Sequence, residues 1–101
     1  MGITARQKPA LLPQKLLQIR LSLGLSQNEM LNRLGLGKGY FRSSISGYEL
    51  GTREAPLPVL LKYAEVAGVY IDVLVDDSLA LPDVLPDPRE RERILKHFYR
   101  Q

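Results

Sequence analysis

A chain of 101 residues with 45% apolar content can bury one modest core and not two. With no cysteine and a single histidine, it excludes a disulfide scaffold, a thiolate zinc site and a cysteine–histidine nucleophile pair. The net charge of +3 hides an uneven distribution: residues 1–53 carry +6, residues 54–87 carry −6 and residues 88–101 carry +3.

The front half is therefore the half suited to a polyanion, against the plainer reading that these are ordinary solvated charges. No apolar run approaches the roughly eighteen residues of a membrane span, and the N-terminus lacks a signal-like apolar region. A reducing, cytoplasmic setting without a membrane is the expectation.

In chain order, residues 1–11 lack periodicity and contain Pro9, so they are expected to form a mobile arm, with Arg6 and Lys8 as marginal phosphate contacts. From Pro13, suited to a helix start, Leu12, Leu16, Ile19 and Leu23 recur at helical spacing, and Gly24 follows as a stop. Lys15, Gln18 and Ser22 fall on the opposite, solvent face, with Arg20 nearer the edge. Ser26 with Glu29 three residues later forms a capping box, stapled by Leu25 and Met30, and Met30, Leu31 and Leu34 make the buried stripe of a second helix ending at Gly35. Phe41, Ile45 and Tyr48 form the inward stripe of a third helix that Gly51 closes.

Between these two helices, Gly35, Gly37 and Gly39 disfavour helix by about 1 kcal/mol each relative to alanine, which favours an enlarged turn with Lys38 at its tip over an extra helical turn begun at Lys38. An extended link through Arg53 leads to Pro58 and a fourth helix with Leu57, Leu60, Leu61, Ala64 and Ala67 as its core stripe. Residues 69–75 have strand-like composition, yet a lone strand would leave its backbone groups without partners. Pro82, Pro86 and Pro88 make an extended tether leaving the domain, followed by an amphipathic helix capped by Asp87, with Ile94, Leu95 and Phe98 as its apolar stripe and Arg100 in its last turns.

Gln27 after the cap, Leu34-Gly35-Leu36 at the turn and Ile45-Ser46-Gly47-Tyr48-Glu49-Leu50-Gly51 at the close of the third helix resemble the helix-turn-helix of the Cro/C1-type (XRE) regulators, over about residues 16–77. Gln27 and Ile45 stand 18 positions apart, about four more than is usual in the family, and the surplus lies near Gly37-Lys38-Gly39-Tyr40. The resemblance implies an all-α, lambda-repressor-like five-helix DNA-binding domain, and for residues 69–75 a short fifth helix with Asp72 in its first turn. The domain spans residues 12–78, after the arm at 1–11 and before the tether and C-terminal helix at 79–101.

With Phe41, Ile45 and Tyr48 inward, the exposed arc of the third helix is Arg42, Ser43, Ser46 and Gly47, with Ser44 at its margin. Matched to the family, Arg42, Ser43 and Ser46 are expected at base edges, Gly47 permits close approach, and Gln27 bridges phosphate and bases. The competing reading of Arg42 is a solvated charge at a helix start. Phosphate contacts are expected from the helix start at Ser26 and from Lys38, Ser44 and Arg53, with Arg20 a further candidate. Glu49 reads as structural, paired with Arg53 or another nearby base, and Asp76-Asp77 as a solvated helix exit rather than a carboxylate dyad or metal site. No catalytic group, metal or cofactor is expected.

These readings give a sequence-specific regulator of transcription, a repressor, binding double-stranded DNA as a homodimer, with a C-terminal helix too short to stand alone that is expected to dock either on its own domain or on a second subunit, where it would join the dimer. The alternative is a partner-binding module such as the antitoxin of a toxin–antitoxin pair. It would bind its protein partner through the C-terminal tail or the acidic second half and bind DNA for autoregulation.

Overall fold

The structure, a computed structural model, describes residues 8–99, with side chains to residue 97. The expectations placed on Arg6, on the Phe98 side chain and on Arg100 lie outside what is described. Among the described residues there are six helices and no strand: α1 (Leu12–Ser22), α2 (Gln27–Leu34), α3 (Arg42–Leu50), α4 (Leu57–Ala67), α5 (Ile71–Val75) and α6 (Pro88–Tyr99). None is long and apolar enough to cross a membrane.

Local signals set the middle of the chain. At the head of α2 the Ser26 hydroxyl accepts from the Glu29 N–H at 3.1 Å, and the Ser26 N–H donates to Glu29 Oε1 at 2.8 Å, so both halves of the capping box are made. Those bonds hold the Glu29 carboxyl below its usual range. Gly35, at φ +62°, ends α2 in a left-handed turn that a side chain would strain. Residues 35–41 form the turn, so the surplus residues enlarge the loop rather than lengthening α3, and Lys38 is exposed on it.

Leu16, Ile19, Met30, Leu34, Ile45, Tyr48, Leu60, Ala64 and Leu74 meet in one core. Around it α3 packs on α1 and α2, while α4 packs on α2, α1 and α5. In α4 the inward stripe includes Val59 and Tyr63, whereas Leu57 and Leu61, expected inside, point outward. One helix cannot bury its whole circumference, and the wider Val59–Tyr63 side faces the core. Residues 71–75 are the short helix that the resemblance implied, with Asp72 in its first turn.

One expectation is overturned by contacts far apart in sequence. Lys15, placed on the solvent face of α1, is only 5% exposed. Its ammonium donates to the carbonyls of Val73, Asp76 and Leu79 at 2.8, 3.0 and 2.7 Å, at the carbonyl end of α5 where the helix dipole is negative. In return, Asp77 accepts the N–H groups of Ala10 and Leu11 at 2.8 and 3.1 Å, at the head of α1.

The proline-containing segment likewise does not carry the last helix away. Leu81 is buried in the core and Leu85 packs against it. α6 lies on α4, with Arg91 donating to the Val69 carbonyl at 2.9 Å and its guanidinium 5.8 Å from the centre of the Tyr70 ring. Prolines straighten a chain locally but do not oppose burial of the leucines between them. Asp87 caps α6 through the Arg89 N–H at 3.0 Å, and the Arg89 guanidinium beside it draws its carboxyl down to about 2.

Candidate nucleic-acid interface

α3 starts without a serine, threonine or aspartate at its cap. Ser44, three residues in, reaches back instead, its hydroxyl accepting the Phe41 N–H at 3.1 Å. Ser44 is therefore 1% exposed, and the phosphate contact expected of it is corrected: its hydroxyl belongs to the helix start and also accepts from Arg53 Nη1 at 3.3 Å. Phe41, expected inside, is 64% exposed. The cap residue leaves the helix with extended backbone (φ −133°, ψ 170°), so helical periodicity does not place its side chain.

The outward face of α3 carries Arg42 and Ser43, exposed, and Ser46, half-buried. With Gly47, Leu50, Thr52 and Arg53 they line a shallow concavity of about 270 Å³. Arg42 makes no ion pair among the described residues. Gly47, expected to be open for close approach, is covered: a Cβ there would stand 2.9 Å from Cγ and Cδ of Arg53. The stem of Arg53 thus lies along α3, held by the Arg53 and Thr52 N–H groups bonding the Gly47 carbonyl at 3.1 and 3.0 Å. The Gly51 cap that makes this turn has φ +78°.

The one acidic group of α3 is neutralised from behind. Arg20 Nε donates to Glu49 Oε2 at 2.6 Å and Nη2 to Oε1 at 3.0 Å, while Nη1 bonds the Leu25 carbonyl at 3.0 Å. Glu49 is structural, as its sequence context suggests, but its partner is Arg20 and not Arg53, and Arg20 is thereby removed from the phosphate candidates. The bond to Glu49 raises the Arg20 pKa against the opposing effect of burial, so the guanidinium stays charged. Gln27 on α2 joins the pair, donating its amide Nε2–H to Glu49 Oε1 at 3.1 Å, which fixes the amide group while the residue stays half-buried.

The structure therefore brings Gln27, Arg42, Ser43, Ser46 and Arg53 around α3. Ser26 and Lys38 are exposed at the head of α2 and on the turn, and Ser44 and Gly47 are inside. Two features were missed in the sequence, the outward Phe41 and the exposed Leu50. For Phe41 the signal was available: the residue before a helix does not share the helix's stripe.

Five helices around one core, with two of them meeting at an enlarged turn and the second presenting a polar, basic face, define a helix-turn-helix domain. The chain belongs to the helix-turn-helix family, whose model matches residues 16–74, and within it to the Cro/C1 (XRE) type of DNA-binding regulators. It is similar to YobD of Bacillus subtilis, an uncharacterized HTH-type transcriptional regulator, with 35% identity over 85 residues that cover 84% of this chain and 68% of the relative. No solved structure matches.

Proposed function

We propose that this protein is a sequence-specific repressor that lays α3 in the major groove of double-stranded DNA. The observation that carries the reading is the outward arc of Arg42, Ser43 and Ser46 beside a glutamate already neutralised by Arg20. An arginine at the head of the recognition helix can bind guanine O6 and N7 with two parallel bonds, and the serine hydroxyls donate or accept. Gln27, its amide held by Glu49, stands at the head of α2 beside this arc. Lys38 on the turn and Arg53 at the edge of the concavity supply phosphate contacts, together with the helix start at Ser26. In this reading repression is by occupancy of the operator.

A homodimer on a palindromic site completes the proposal, because one short helix reads only a few base pairs. The outward Leu57 and Leu61 of α4 and the partly exposed Ile94 of α6 offer apolar surface for it. The antitoxin alternative rests on the acidic block of residues 54–87, the proline segment and the tail; α6 lies on α4 of its own domain, which leaves the acidic block as the surface for such a partner. Selection of bound fragments from genomic DNA by the purified protein tests the proposal. A palindromic consensus with half-sites about one helical turn apart is the expected result. Fragments enriched without any common sequence would overturn it.

A further inference from the structure

We infer that Phe41 is a specificity-determining residue that recognises the C5-methyl group of a thymine. The inference rests on the major-groove reading above and adds to it an apolar base contact. Folding has no use for this ring: at 64% exposure it lies outside the core, and only the backbone of Phe41 takes part in the helix start, its N–H bonding Ser44 and its carbonyl accepting from the Ser44 N–H at 2.9 Å. A large aromatic left in water forfeits its burial unless a partner covers it.

Its position limits what that partner is. Phe41 directly precedes Arg42 and Ser43, at the end of α3 whose residues approach base edges in this class of domain. The Ser44 bond and the extended backbone at Phe41 fix where the side chain leaves the helix, so the ring is presented from an ordered start rather than from a swinging loop. In the major groove, the one apolar group that a base pair offers is the thymine methyl. Arg42 and Phe41 then read in complementary ways: a guanidinium for the acceptors of guanine, and an aromatic face for the methyl of an A·T pair.

The test uses the full chain and the duplex obtained from genomic selection. Each thymine of a half-site is replaced singly by deoxyuridine, which removes only the methyl. For the wild-type protein one such replacement should weaken binding by about four-fold, the worth of one buried methyl. Phe41→Ala should bind the unmodified duplex several-fold more weakly and show less than two-fold response to that same replacement. Phe41→Leu should retain part of the response. Because Phe41 is exposed, the variants should melt at the wild-type temperature, which separates recognition from folding. Equal sensitivity to deoxyuridine in wild type and Phe41→Ala, or no sensitive thymine in a protein that does select a sequence, overturns the role of Phe41 alone. A protein that selects no sequence overturns the major-groove reading and this inference with it.

Discussion

Arg20 on α1 and Glu49 on α3 form a two-pronged ion pair with the Glu49 side chain 5% exposed, and the pair ties the last turn of α3 to α1. A lone glutamate on a recognition helix would repel phosphate; paired in this way, its charge is cancelled within the protein and its second role is to hold Gln27. Glu49→Ala should destabilise the fold by about 2–3 kcal/mol, because it leaves a mostly buried guanidinium without its acceptor. Replacing both partners with apolar residues, Arg20→Met with Glu49→Leu, should cost less than either single change. Urea denaturation of Glu49→Ala, Arg20→Met, Glu49→Leu and the double variant reads this directly, and a double variant less stable than either of its singles would count against it.

On DNA, two basic residues should behave differently. Arg42→Ala is expected to weaken specific binding by about 1–3 kcal/mol and to relax preference at one base position. Lys38→Ala should weaken all sequences alike and lower the salt-dependence slope by about one. Binding isotherms at several salt concentrations, on the selected site and on a scrambled duplex, distinguish the two.

The bonds of Lys15 to three carbonyls make it a structural cation. Lys15→Met keeps the length of the stem and removes the donors, so the carbonyls of Val73, Asp76 and Leu79 lose their partner, at a cost of about 2–3 kcal/mol. Thermal or chemical denaturation should show this loss without any change in DNA specificity, since the site lies away from the α3 arc.

Acid should weaken the same junction. The N–H groups of Leu11 and Ala10 hold the Asp77 carboxyl below its usual range, and Ser78 does the same for Asp76. A carboxyl whose pKa is lower in the folded state contributes stability that is fully present above its unfolded value of about 3.9 and is lost as pH falls through the lower folded value. The protein should thus lose stability as pH drops below about 4. Asp77→Asn, less stable at neutral pH, should show a shallower decline over that window in urea midpoints measured from pH 7 to pH 2.5.

Signals contained within a few residues were legible in the sequence. The Ser26–Glu29 box, the Gly35 and Gly51 stops, the Pro58 helix start and the Asp87 cap each depend on neighbours at most a turn away, and so did the placing of the surplus residues in a glycine loop. The family resemblance added the fifth helix, where β-branched composition alone pointed to a strand. What escaped were partners distant in the chain. Nothing near Lys15 shows that three carbonyls near residue 76 will receive it, and nothing near Glu49 distinguishes Arg20 from Arg53. On α3, periodicity placed Arg42, Ser43 and Ser46 outward but misplaced residues whose position depends on something other than the helix angle. Phe41 follows the cap geometry, Ser44 is drawn inward by its bond to Phe41, and Gly47 is covered by a side chain arriving from the next loop.

The exchange between Lys15 and Asp77 also sets an order in time. The N–H groups of Leu11 and Ala10, just ahead of α1, find their acceptor 66 and 67 positions downstream, and the Lys15 ammonium finds its three at 58, 61 and 64. During synthesis these bonds can form only once the chain through Leu79 has followed residues 10–15. The helix-turn-helix pair lies wholly inside that interval. The DNA-binding unit is therefore completed by residues made well after it, and a nascent chain that ends before Leu79 presents α3 on a domain not yet closed.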